Sequence, residues 1–257
     1  MQMKRASFQR DDLTLSYLDS GGELPAIIAL HAHWMEGVTF SALAEALDRE
    51  WRFIAPDQRG HGYSGHAESY GREDYLGDIE ALFRQLGLKD AVLLGNSLGG
   101  VNAYQFAARR SERVRALIIE DIGVQISSEL PDMRGWDGCF ANREELERQI
   151  GSRMSPYLQD SIRETQGGLK LAFEPRDMVR SQAAMAGDHW SDWLATDCPA
   201  LLIRGSESRV TTAEECGRMA ARRPNTKLCT LTGGHVVHRD NPAGFAEAVR
   251  GFLGSEL

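Results

Sequence analysis

Excess positive charge, long apolar runs and paired cysteines are all missing from this sequence, and each shortage removes a class of function. Against 37 acidic residues stand 29 basic ones, a net charge of -8. The chain therefore offers no electrostatic footprint for nucleic acid or for an anionic membrane surface. No apolar stretch is long enough for a membrane span, and Met1 to Ser7 run into polar sequence without a signal-peptide core, so secretion is not expected. The four cysteines, Cys139, Cys198, Cys216 and Cys229, are far apart and form no Cys-x-x-Cys pair. Reduced thiols in a cytoplasmic protein are the expectation. A His-Glu-x-x-His segment is absent too, and the spaced pairs His31-x-His33 and His235-x-x-His238 lack a third-ligand motif. Metal-dependent hydrolysis is thus a weak alternative, and neither a metal nor an organic cofactor is expected.

What is present is a regular alternation. Short aliphatic runs at Ala26–Leu30, Phe53–Pro56, Ala91–Leu94, Ala116–Glu120, Ala200–Ile203 and Lys227–Leu231 are separated by amphipathic stretches such as Tyr75, Ile79, Leu82 and Leu86. Continuous apolar strands joined by helices predict an α/β fold: a mostly parallel central sheet of about eight strands, with helices on both faces. Ala6–Phe8 and Leu13–Tyr17, alternating around Asp11-Asp12, predict an N-terminal hairpin. Phe245, Val249 and Phe252 predict a last helix started by Asp240-Asn241-Pro242. With 257 residues, 42% of them hydrophobic, one large core is enough.

The alternation stops over 124–193, where polar helical pieces such as Arg143–Ile150 dominate and no strand run stands out. This divides the chain into a core of 1–123 and 194–257 and a helical lid insertion of 124–193. The insertion holds three of the five tryptophans and four of the eight methionines, a composition suited to the roof of an adaptable apolar pocket. Trp136 and Trp190 from the insertion, with Trp34 from the core, are the candidate substrate contacts.

The segment richest in chemistry is Gly95-Asn96-Ser97-Leu98-Gly99-Gly100, directly after the run Ala91–Leu94. A strand ending in Gly-x-Ser-x-Gly and turning straight into a helix holds the serine on a sharp corner with its hydroxyl exposed above the sheet. Ser97 is the candidate nucleophile, and a serine needs a base. His235, in Thr232-Gly233-Gly234-His235 after the last strand, is placed to reach it from the carboxyl edge of the sheet. His238 is expected to brace that loop. The base in turn needs an acid. Three residues beyond Gly205, where an aspartate would be expected, stands Ser208, whereas Asp121 ends the strand that follows the elbow helix. Asp121 is the chosen acid, with Glu207 in reserve. The backbone N–H groups of Leu98, at the helix start, and His33, after Ala26–Leu30, are the expected oxyanion donors.

These motifs resemble the α/β-hydrolase fold enzymes, in particular esterase-like members with a helical lid after the sixth strand. The resemblance rests on Asp57-Gln58-Arg59-Gly60-His61-Gly62-Tyr63-Ser64, on Gly95–Gly100, and on Gly234-His235-Val236-Val237-His238 followed by Asn241-Pro242, which together span most of the chain. Two departures stand out: His31-Ala32 replaces the usual His-Gly before the oxyanion loop, and Ser208 replaces the usual acid. The second resembles the subset of the family whose acid sits on the previous strand. The resemblance implies a cofactor-free serine hydrolase acting on a small carboxylic ester. The same triad on a lactone, an amide or a carbon–carbon bond, or in perhydrolysis, is the enzymatic alternative, and a hydrolase-like small-molecule receptor is the non-enzymatic one.

Overall fold

The computed structural model describes residues 3–257. Eight strands form one sheet: β1 (Lys4–Arg10), β2 (Leu13–Asp19), β3 (Ala26–Leu30), β4 (Arg52–Asp57), β5 (Ala91–Asn96), β6 (Val114–Glu120), β7 (Ala200–Gly205) and β8 (Thr226–Leu231). Every aliphatic run singled out above is a strand, extended by at most two residues at an end. The order across the sheet is β1-β2-β4-β3-β5-β6-β7-β8. β2 runs antiparallel to β1 and β4, and every other pairing is parallel.

The helices are α1 (Ser41–Ala46), α2 (Arg72–Leu86), α3 (Leu98–Arg109), α4 (Arg143–Ile150), α5 (Pro175–Met185), α6 (Trp190–Trp193), α7 (Ala213–Arg222), α8 (Val237–Asp240) and α9 (Pro242–Glu256). Because side chains alternate across a strand, the sheet feeds two cores. Leu93, Leu117 and Leu202 pack with Tyr75, Ile79 and Leu82 of α2 and Val101 of α3. Val92, Leu94, Ile118 and Ile203 pack on the other face with Leu43 of α1 and Phe245, Val249 and Phe252 of α9. Central strands covered on both faces need apolar residues at every position, which explains why they read as unbroken runs.

Between β6 and β7 the chain leaves the sheet and gathers its own apolar cluster, including Met133, Trp136, Phe140, Leu146, Leu158 and Phe173. α4 falls on the helical piece expected at Arg143–Ile150. The expectation that no strands occur here needs correcting. Gln125–Ile126 pairs with Gly187–Asp188, and Ile162–Thr165 forms a hairpin with Gly168–Leu171. Both ladders are too short and too polar to show a period-two pattern, so the sequence carried no signal for them. Among the described residues no helix is long and apolar enough to cross a membrane.

Candidate active site

β5 ends at Asn96 and α3 begins at Leu98, leaving Ser97 alone at the corner with φ 53° and ψ -116°. That backbone is rare for a residue with a side chain and persists only where its surroundings hold it. Here Ser97 N–H donates to the Glu120 carbonyl at 3.2 Å, and its own carbonyl accepts from Val101 at 3.1 Å. The two glycines of the motif let α3 lie close on the sheet. A Cβ on Gly95 would come within 2.2 Å of the Gly99 carbonyl oxygen, and one on Gly99 within 2.0 Å of the Leu30 carbonyl oxygen. Both obstacles are backbone, so neither position admits a side chain without displacing the elbow.

Asp121 follows β6 in a left-handed conformation, φ 49°, with its N–H on the Ile203 carbonyl at 2.8 Å. This turn sends the carboxylate beneath the loop that leaves β7. Oδ1 accepts from the Gly205 amide at 3.2 Å and from Thr211 Oγ1 at 2.8 Å. Oδ2 accepts from the Ser208 hydroxyl and from His235 Nδ1, the latter at 2.8 Å. Asp121 is fully buried, while the His235 side chain is 25% exposed and lines the cavity that Ser97 also lines. The carboxylate occupies Nδ1, so Nε2 is the ring nitrogen left for chemistry. Among the described residues no hydrogen bond joins Ser97 Oγ to His235. Glu207, the reserve acid, lies on the cavity rim and makes no hydrogen bond to His235; its amide donates to the Gly233 carbonyl at 2.9 Å.

Ser208 thus lends a hydroxyl to a carboxylate supplied by the neighbouring strand. Its place in the loop marked it in the sequence, but its partner did not, and Thr211 carried no signal at all. Also unforeseen is Asn96, whose Nδ2 donates to the His235 carbonyl at 3.0 Å and to the Glu120 carbonyl at 3.2 Å. His238 braces its loop through Glu120: its amide meets Oε1 at 2.9 Å and Nδ1 meets Oε2 at 2.7 Å, while Nε2 pairs with Thr39 Oγ1 at 2.8 Å.

Among the described residues the amides of His33 and Leu98 make no backbone hydrogen bond. The His33 ring is buried and its Nε2 pairs with Ser181 Oγ at 2.8 Å. Burial, with the nearby charges of His61 and Arg72, holds it well below the usual imidazole range, so the ring stays neutral. His31 is equally buried and is pushed down to about 4 by desolvation. Its Nε2 accepts from the Gln58 amide at 2.9 Å and its Nδ1 donates to the Ala32 carbonyl at 2.7 Å. The ring nitrogens of His31 and His238 are therefore engaged, and His33 uses its Nε2 on Ser181. Three of the four histidines in the spaced pairs, His31, His33 and His238, thus hold their loops together, and no cluster of three metal-ligating side chains occurs among the described residues.

The cavity has a volume of about 1120 Å³ and lies between the sheet edge and the insertion. Trp34, Met154, Gln182 and Met185 line it, but the other two candidate tryptophans do not. Trp136 is buried behind Trp34, ring centroids 6.4 Å apart, where it fills the core of the insertion. Trp190 lies under the Arg222 guanidinium at 4.0 Å and packs on the main core. A composition rich in tryptophan cannot tell a pocket wall from a core, and here packing claimed two of the three.

Residues 27–248 match the profile of the Alpha/beta hydrolase family. The chain belongs to that family. It is 26% identical over 256 residues to a 2-(acetamidomethylene)succinate hydrolase of Mesorhizobium japonicum, covering 94% of this chain and 92% of the relative. It is likewise 26% identical over 271 residues to an sn-1-specific diacylglycerol lipase of Mus musculus, covering 94% and 85%. Among solved structures, that of E-2-(acetamidomethylene)succinate hydrolase superposes with a TM-score of 0.88 at 24% identity, over 98% of this chain and 99% of the other, a likeness that speaks to the fold. The alpha/beta hydrolase frame thus accounts for the sheet, the elbow and the loop order.

Proposed function

We propose that this alpha/beta hydrolase cleaves a small carboxylic ester through an acyl-enzyme. His235 Nε2 takes the proton of Ser97 as Oγ attacks the ester carbonyl carbon, and the His33 and Leu98 amides receive the charge that develops on the carbonyl oxygen. The imidazolium then protonates the departing alkoxide. A water, deprotonated by the same nitrogen, attacks the acyl-enzyme; Ser97 recovers its proton and the acid leaves. Asp121 keeps the Nδ1 proton in place, so that Nε2 is always the basic nitrogen, and steadies the imidazolium. The observation that carries this reading is the 2.8 Å contact between a buried Asp121 and Nδ1 of His235, a residue that lines the same cavity as Ser97. Serine–histidine contacts are often loose before substrate arrives, and in this reading they tighten when it binds. The cytoplasmic setting suggested by four unpaired thiols belongs to the same proposal.

A second reading keeps the triad and changes the substrate to an acetamido-bearing acid, as the name of the Mesorhizobium relative suggests. The cavity lining favours the ester. Arg153 and Arg209 are outnumbered there by Glu129, Glu207, Glu215 and Asp240, a poor reception for a dicarboxylate. The test is a panel of 4-nitrophenyl esters of increasing acyl length beside acetamido acids and lactones, with fluorophosphonate labelling read by mass. Wild type should turn over short esters and carry one label on Ser97, and Ser97→Ala should do neither. Unlabelled Ser97 with no ester turnover would leave the receptor reading standing.

A further inference from the structure

Chemistry at this site requires two loops from opposite ends of the chain to keep one geometry: 31–37, which carries the His33 amide, and 233–240, which carries His235. One stretch of the insertion grips both. Ser161, buried at the end of the 3-10 turn Ser155–Ser161, donates its hydroxyl to the Trp34 carbonyl at 2.6 Å. Two residues on, Arg163 Nη2 donates to Glu36 Oε1 at 2.5 Å, with its guanidinium 4.4 Å from the centre of the Tyr63 ring. On the other side of the turn, Asp160 Oδ2 accepts from Arg239 at 2.9 Å, and the Tyr157 hydroxyl reaches Asp240, whose carboxylate also takes the Gly234 amide at 2.7 Å.

The grip falls where the oxyanion loop is least able to hold itself. Trp34, next to His33, has φ 67°, a left-handed backbone that is uncommon for a residue with a side chain and persists only where its surroundings hold it. Its carbonyl is pinned by Ser161, and its indole Nε1 by Met133 Sδ at 3.2 Å, both from the insertion. Relaxation at Trp34 would turn the His33–Trp34 peptide and carry His33 with it. We propose that Ser161 and Arg163 are positioning residues for the hydrolysis, fastening the insertion to the oxyanion loop so that the His33 amide and the His235 ring stay in register. This rests on the reading of Ser97 as nucleophile. It differs from a substrate-pocket role, because Ser161 touches the loop backbone and not the cavity.

The experiment uses the full chain with Ser161→Ala, Ser161→Thr and Arg163→Met. kcat and KM are measured on the best ester of the panel, together with the rate of fluorophosphonate labelling and the thermal midpoint. Misplacing one oxyanion donor should lower kcat by about 10- to 100-fold, with the labelling rate falling in parallel and KM changing by less than about threefold. Ser161→Thr, which keeps a hydroxyl for the Trp34 carbonyl, should return to within about threefold of wild type. If kcat of Ser161→Ala and Arg163→Met stays within about twofold of wild type, or falls only as the folded fraction falls, the proposal is overturned. Should Ser161→Ala fail to fold, Arg163→Met is judged by the same criteria. A wild-type chain that neither hydrolyses esters nor takes the label overturns the underlying reading as well; one that does both, with unaffected variants, overturns the positioning role alone.

Discussion

Replacing Asp121 with asparagine tests the acid assignment with almost no change in shape. The Oδ1 side of the carboxylate accepts from a backbone amide, Gly205, which cannot reverse its role, and from Thr211. The asparagine carbonyl must therefore occupy that side and the NH₂ the other. There it faces Ser208, whose hydroxyl can rotate to accept, and His235 Nδ1, which can accept only by giving up its proton. The imidazole is then held with its hydrogen on Nε2, the tautomer unable to take a proton from Ser97. A reversed tautomer in a serine triad costs about 10⁴-fold in kcat, or about 5.4 kcal/mol of barrier. The assay compares steady-state kcat and labelling rate for Asp121→Asn, Glu207→Gln and wild type, with a melting curve for each. Asp121→Asn should be slow in both and still folded, and Glu207→Gln should match wild type. If Asp121→Asn retains more than about a tenth of the wild-type rate while Glu207→Gln collapses, the acid is Glu207 and the tautomer argument fails.

Three further outcomes follow from other contacts. Ser208→Ala removes one of four donors to a buried carboxylate and should cost about 1.5 to 3 kcal/mol of stability while kcat stays within about tenfold, because His235 keeps its partner; a loss as deep as that of Asp121→Asn would make Ser208 part of the chemistry. Gly99→Ala drives a methyl to 2.0 Å from the Leu30 carbonyl oxygen and should lower the urea midpoint by at least about 3 kcal/mol equivalent, where an unchanged midpoint would disprove the close packing. Glu36 is pushed up to about 7 by burial, which outweighs the attraction of Arg163. The native chain thus holds a proton that the unfolded chain releases near 4.5, so this contribution to stability is complete below 4.5 and is lost as pH rises through 7, by up to about 3 kcal/mol. Glu36→Gln should gain stability relative to wild type between about pH 5 and pH 8 in urea melts; a difference that stays constant across that range refutes the shift.

The parts of this molecule that were legible in the sequence are those whose signal is local. An aliphatic run buried on both faces states its own structure, and the glycines of the elbow state theirs because backbone contact at 2.0 and 2.2 Å tolerates no substitute. That His235 and Asp121 come within 2.8 Å follows the order of strands and loops, a constraint that survives in one dimension. What stayed hidden depends on contacts between distant residues. Nothing in the sequence links Ser161 to the Trp34 carbonyl 127 residues away, or tells that Trp190 lies under Arg222 and not over the cavity. The hairpin Ile162–Thr165 with Gly168–Leu171 was missed for a related reason, since four residues are too few for a period to emerge.

Under the proposed function, a serine at position 208, where the family resemblance implies an acid, is a redistribution and not a loss. The loop after β7 approaches His235 through Gly205, whose Cβ position lies 2.0 Å from the Gly234 carbonyl oxygen, so the two loops are already in backbone contact. A carboxylate on that loop would have to find its hydrogen-bond donors among residues of the same loop. Coming from β6 by a left-handed turn, Asp121 enters from beneath and finds the Gly205 amide and the Ser208 and Thr211 hydroxyls as a ready set of donors. Buried and unpaired, the charge would be costly; with four donors it is satisfied and its orientation is settled. The loop that lacks the acid thus builds the pocket that makes an acid on the neighbouring strand rigid, and the imidazole inherits that rigidity through a single bond at Nδ1.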